Sequence, residues 1–265
     1  LPRPDREIGT MNHAIQDSAT MLRRNLRRTL RYPVGAVVTI GIPLVFLLLF
    51  VFVFGSTMGA GLGGGRDDYL DYITPGILLL TIAGAAQGVA ISVAMDMTEG
   101  IVTRFRTMSI ARVSVLTGHV AGSLIQTLIG LAVIIGVALA LGFDPNASPL
   151  EWLALLGLLI LVSLAVIWLS VALGLVTKSV ETASNLPMPL ILLPFLGSGF
   201  VPTDSMPAAM RIFAEYQPFT PIMDTVRGLL MGTPIGNSAV LAVAWSAGGG
   251  FAAYLWAKRL YNRQA

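Results

Sequence analysis

The chain has 265 residues, 55% of them hydrophobic and 12% charged, with a mean hydropathy of +0.77. That is about half the charged share of a soluble domain, so the composition is that of an integral membrane protein. The lack of cysteine excludes a disulfide framework and thiolate metal sites, and two histidines offer little to an imidazole-based metal cluster.

Residues Leu1 to Thr10 are polar and aperiodic and read as a flexible end. From Asn12 to Arg31 the residues Ile15, Ala19, Leu22, Leu26 and Leu30 make one apolar stripe. Arg23, Arg24, Arg27, Arg28 and Arg31 cover the rest of the last two turns, as in a helix lying in the membrane interface. Tyr32-Pro33 ends it, because the residue before proline is pushed out of helical space. The arginines read as a topology anchor before a nucleic-acid or lipid-specific site. Val34 to Phe54 is an uncharged run of 21 residues. At about 1.5 Å per residue it crosses roughly 30 Å of hydrocarbon, and it is too long for a signal-peptide core. Gly55 to Asp71 reads as a glycine-rich acidic loop, and Ile73 to Met95 as the second span.

Asp96 to Arg112 interrupts two long apolar runs with charge. Asp96 is the expected N-cap of a short helix, with Glu99 three positions on as in a capping box. Ile101, Phe105 and Met108 then share a face, and Thr103, Arg104 and Arg106 point elsewhere. Such a stripe suits lipid headgroups or a protein partner, and periodicity alone does not choose. The third and fourth spans are expected at 113–142 and 152–176, with a turn between them and a small loop from Thr177 to Asn185. The fifth apolar segment, 186–201, carries Pro187, Pro189 and Pro194 and cannot be a regular helix. Within 204–232, Ser205 with Pro207 and Thr220 with Pro221 signal two short re-entrant or interfacial helices, the second ending at Gly232. The sixth span is expected at 238–256.

Placed on alternate sides, Lys and Arg divide 14 against 3, which puts both termini in the cytoplasm and makes the basic pI of about 9.5 a topology signal. There is no phosphate-binding loop of the G-x-x-x-x-G-K-[ST] type. Asp67, Asp68 and Asp71 match the D-D-x-x-D pattern with which prenyl-transferring enzymes hold magnesium, although acidic residues in an external loop are ordinary. His119 is read as hydrogen-bonded to a neighbouring helix in preference to a proton carrier. No charge lies in the middle of a span, so energy for transport has to come from elsewhere. Gly84-x-x-x-Gly88 and Gly118-x-x-x-Gly122 allow close backbone approach, within the chain or across a dimer seam.

The basic helix before the first span, the segment Glu99 to Thr107, and the proline-rich fifth segment running into Phe200 to Pro207 and Pro218 to Gly232 carry a resemblance. In that order they resemble the permease subunit of a type-2 ATP-binding-cassette exporter, of the daunorubicin-resistance type of bacterial drug-efflux permease. The chain departs from the usual pattern at Gly100 and at His119. The resemblance implies an all-α half-transporter of six spans in the bacterial inner membrane, two copies of which join two copies of a separate ATPase. That partner would hold ATP and Mg, so this chain would carry no cofactor and no catalysis. Its coupling residues would be Asp96, Glu99, Ile101, Arg104, Phe105, Arg106 and Met108, and its substrate pathway would include Gln87, Ser92, Phe195 and Phe200. The implied cargo is a hydrophobic or amphiphilic small molecule or lipid. Export of a lipid-linked glycan, or an intramembrane prenyl transfer through the aspartates, are the other readings.

Overall fold

The computed structural model describes residues 34–98, 112–177 and 179–263, and their regular structure is entirely helical. Helix α1 (Val34–Leu49) passes through a π-helical turn (Phe50–Phe54) into α2 (Gly55–Gly61). After a four-residue turn come α3 (Arg66–Thr98), α4 (Arg112–Ala140) and α5 (Pro149–Val176). The chain then breaks into short pieces: α6 (Val180–Asn185), α7 (Met188–Leu192), α8 (Ala208–Tyr216) and α9 (Phe219–Met231), before the long α10 (Ser238–Arg263). Among the described residues five stretches are long and apolar enough to cross a membrane: Thr39–Gly61, Arg66–Thr98, His119–Ala140, Pro149–Val176 and Ser238–Arg263. Their outward sides carry Ile42, Val45, Phe52, Leu150 and Val240, each more than half exposed. Water would penalise such a surface and lipid accepts it.

Helix α3 is the axis of the molecule. Twenty of its 33 residues are buried, and it touches α1, α2, α4, α5, α6, α7 and α9. Its Leu70, Ile73, Ile77 and Leu80 meet Leu47 of α1, Ile134 of α4, Leu155 of α5 and Met223 and Val226 of α9 in one core. Nearer Thr98, Val89 and Val93 join Val120, Ile167, Val171 and Tyr261 in a second. Lipid offers apolar side chains as good an environment as a neighbouring helix does, so these contacts hold by tight van der Waals fit. Small residues make the fit possible. A Cβ on Gly174 of α5 would stand 2.8 Å from the Ala90 carbonyl oxygen of α3, and one on Gly250 of α10 would stand 3.1 Å from Ala165 Cα of α5.

Several sequence expectations change. Of the expected loop from Gly55 to Asp71 only Leu62 to Gly65 is a turn, because glycine is tolerated in helices of an apolar medium and α2 continues the first span. Helix α3 starts at Arg66, with Asp67 and Asp68 in its first turn where the helix dipole favours acid, and Asp68 accepts the Gly65 N–H at 2.7 Å. The fourth span starts at Pro149, three residues before the expected Trp152, because Ser148 and Glu151 form a capping box. As its three prolines required, the segment 186–201 is no continuous helix: α6, α7 and a run of turns occupy 180–200. Ser205 sits in a short 3₁₀ turn while Pro207 leads α8, and Pro218, not Thr220, precedes α9. Gly232 ends α9 in the left-handed conformation, φ +69°. Helix α10 runs seven residues beyond the expected Trp256 and takes Lys258, Arg259 and Arg263 with it. The interfacial helix expected at 12–31 lies outside the described residues.

Candidate functional site

The broken segment after α5 lies along α3 and is gripped at both ends. Near the Thr98 end of α3, Gln87 Nε2 donates to the Ser184 carbonyl at 2.7 Å. Near the Arg66 end, Tyr69 Oη donates to the Phe200 carbonyl at 3.3 Å and Tyr72 Oη to the Ser198 carbonyl at 3.0 Å. Tyr69 and Gln87 are 18 positions apart on one helix, or about 27 Å at 1.5 Å per residue. Between these grips the three prolines deny the segment a regular ladder, and side chains from elsewhere in the chain add hydrogen bonds to its carbonyls. Gln217 Nε2, for example, donates to the Leu193 carbonyl at 3.0 Å.

At the Arg66 end the grip is ionic. Arg227 of α9 donates through Nη2 to the Ser198 carbonyl at 2.6 Å and through Nη1 to Asp224 at 2.9 Å, and its guanidinium lies 4.2 Å from the Tyr72 ring centroid. Ser198 Oγ donates to the same Asp224 oxygen at 2.7 Å. The backbone comes very close here: a Cβ on Gly76 would stand 2.6 Å from the Gly199 carbonyl oxygen, and one on Gly197 would strike Gln217 Nε2, Met223 and Thr220. Only glycine admits this wedge between α3 and α9.

Phe195 and Phe200, expected in the pathway, stack with centroids 4.5 Å apart at an interplanar angle of 11°. Phe46 lies 5.4 Å from Phe195, and Phe50, in the π-helical turn, 4.9 Å from Phe200. Offset aromatic pairs of this kind contribute about 0.5–1.5 kcal/mol beyond their area. Gln87 and Ser92 lie elsewhere, on a partly open stripe of α3 with Gly84, Gly88, Ile91 and Met95. The structure therefore brings the four pathway residues together as two pairs, not as one site. Nothing among the described residues comes within 4 Å of a Cβ on Gly84 or Gly88, so this motif makes no close approach within the described chain. Gly118 lies in the second turn of α4, and Gly122 is buried.

Asp96 is no helix N-cap. It lies inside α3, with its side chain 4% exposed, and its Oδ2 is 2.6 Å from Nε2 of His119 on α4, itself 11% exposed. The remaining coupling residues, Glu99, Ile101, Arg104, Phe105, Arg106 and Met108, lie outside the described residues, in the stretch that joins α3 to α4. Of the aspartates of the D-D-x-x-D pattern, Asp67 and Asp68 stand in the first turn of α3 and Asp71 in the second, and the described residues hold no group of three or more His, Asp or Glu arranged to ligate a metal.

A family model described as ABC-2 type transporter matches residues 17–231. The chain belongs to the ABC-2 type transporter family. It is 27% identical over 222 residues to the daunorubicin resistance ABC transporter permease protein DrrB1 of Streptomyces coeruleorubidus, covering 83% of this chain and 77% of that protein. It is 24% identical over 245 residues to the probable doxorubicin resistance ABC transporter permease protein DrrC of Mycobacterium tuberculosis, covering 92% and 89%. An ABC-2 permease is the transport subunit of its complex. Sequence reasoning missed the Asp224–Arg227 clamp of this ABC-2 chain. An acid and a base three positions apart in a short helix, after a lone serine in an apolar run, were the available signal.

Proposed function

We propose that this ABC-2 chain is the permease half of an ATP-driven exporter that moves hydrophobic or amphiphilic small molecules outward across the bacterial inner membrane. The observation that carries this reading is the match over 17–231, together with relatives named as drug-resistance permeases over more than three quarters of their length. Two copies of the chain would assemble with two copies of a separate ATPase that holds ATP and Mg. The ATPase would dock on the stretch from Glu99 to Met108, with Phe105 and Met108 as anchors. Both termini would be cytoplasmic, so the Arg66 end of α3 faces outward.

The segment from 180 to 200 would make a sixth, broken crossing, since its two grips on α3 are about as far apart as the hydrocarbon is thick. The open stripe of Gly84, Gln87, Gly88 and Ser92 would face the cargo or the second copy. A pathway whose acids and bases are paired selects by apolar contact, each buried methylene being worth about 0.8 kcal/mol. The test is co-purification with the neighbouring ATPase and a screen of its ATP hydrolysis against anthracyclines, other cationic amphiphiles, lipids and small hydrophilic solutes. Stimulation by amphiphiles is expected. Stimulation by lipid-linked glycans alone would move the cargo to that class, and stimulation by hydrophilic solutes alone would refute the reading.

A further inference from the structure

We infer that the buried Asp96–His119 pair is a joint that ties α3 to α4 where the stretch between them begins, so that a displacement of that stretch moves both helices together. The inference rests on the transporter reading above and adds to it a second positioning residue, His119, and a partner for Asp96. Around the pair the α3–α4 contact is apolar, with Val89, Val93 and Met97 of α3 near Val120 and Leu124 of α4. Apolar side chains alone would fill that space at no desolvation cost, whereas a carboxylate with 4% of its side chain exposed is expensive to bury. Ionisable groups within membrane helices are uncommon and mark function by default.

The contact is also stiff. Apolar surfaces slide past one another, but a bond of 2.6 Å between Oδ2 and Nε2 fixes both distance and direction. Its position suits transmission: Asp96 lies two residues from Thr98, where α3 ends, and His119 two turns into α4. A push on residues 99–111 therefore meets the two helices as one lever.

The experiment uses the permease with its ATPase in proteoliposomes, with daunorubicin as probe, and reads drug exported per ATP hydrolysed. Asp96→Leu, nearly isosteric and unable to hydrogen-bond, and His119→Leu are expected to lower that ratio by about tenfold or more in complexes that still co-purify. His119→Lys, which keeps a hydrogen-bond donor opposite Asp96, and the exchange of Asp96→His with His119→Asp are expected to stay within about threefold of wild type. A wild-type ratio in Asp96→Leu would overturn the joint. So would an assembled His119→Lys complex no better coupled than His119→Leu. Absence of stimulated hydrolysis and export in the wild-type complex with daunorubicin and with every other amphiphile and lipid of the screen would instead refute the transporter reading, and the joint with it.

Discussion

Replacing Gly76 by alanine tests the wedge between α3 and α9 with one methyl group. The new Cβ would stand 2.6 Å from the Gly199 carbonyl oxygen and 2.9 Å from its carbonyl carbon and Cα. These are backbone atoms, which cannot swing aside, and Gly199 is itself backed by Met223 and the Pro194 carbonyl. Either the segment moves outward by several tenths of an ångström, straining its bonds to Tyr72 and Arg227, or α3 bends. Overpacking of this kind costs about 1–3 kcal/mol, offset in part by up to about 1 kcal/mol of alanine helix propensity. The control is Gly84→Ala on the same helix, where the methyl meets nothing described within 4 Å. Thermal unfolding of the purified permease in mild detergent should show Gly76→Ala lowered by roughly 2–10 °C, at 2–4 °C per kcal/mol for a chain of this size. Gly84→Ala should be unchanged or slightly raised. Equal midpoints for the two variants would refute the wedge, and a larger loss at Gly84 would mean that a second copy covers that face.

Arg227→Gln should destabilise the permease by about 2 kcal/mol, because it removes two charge-assisted bonds and an arene contact; Arg227→Lys should recover only part, since a single ammonium cannot reach Asp224 and the Ser198 carbonyl in the same fork. Chemical denaturation followed by Trp fluorescence measures both. The chain has no native cysteine, so single cysteines at Asp68 and Ala147 should react with an impermeant thiol reagent in intact cells, and one at Thr107 should not; labelling at Thr107 would reverse the orientation. Phe105→Ala and Met108→Ala should each weaken ATPase binding by about 2 kcal/mol, roughly thirtyfold, without loss of membrane insertion. Normal co-purification and normal drug-stimulated hydrolysis in both would leave that stripe to the lipid.

The long helices were legible because uncharged runs of more than 20 residues admit few other structures in a membrane. Their ends were not, for two physical reasons. Glycine and acid, which end helices in water, sit inside α2 and the first turn of α3, where an apolar medium and the helix dipole favour them. The box of Ser148 and Glu151 was readable in the sequence as a helix start ahead of Trp152. At the site, each half of the Asp96–His119 pair stood out, but the pairing needed the third dimension. Asp96 ends one apolar run and His119 lies near the start of the next, a hint that was present in the sequence. The clamp on Ser198 had no comparable hint, since it joins α3, the broken segment and α9 across more than 120 positions.

The broken segment is held mostly by its main chain. Gln87, Gln217, Tyr69, Tyr72 and Arg227 reach the carbonyl oxygens of Ser184, Leu193, Ser198 and Phe200. An oxygen of the main chain is supplied by every residue type, so apart from Ser198 and the glycines the anchorage does not care which side chain stands at each position. On the proposed exporter reading, with this segment in the pathway, cargo preference would drift by exchange of its aromatic and aliphatic side chains while the frame that carries them keeps its place on α3.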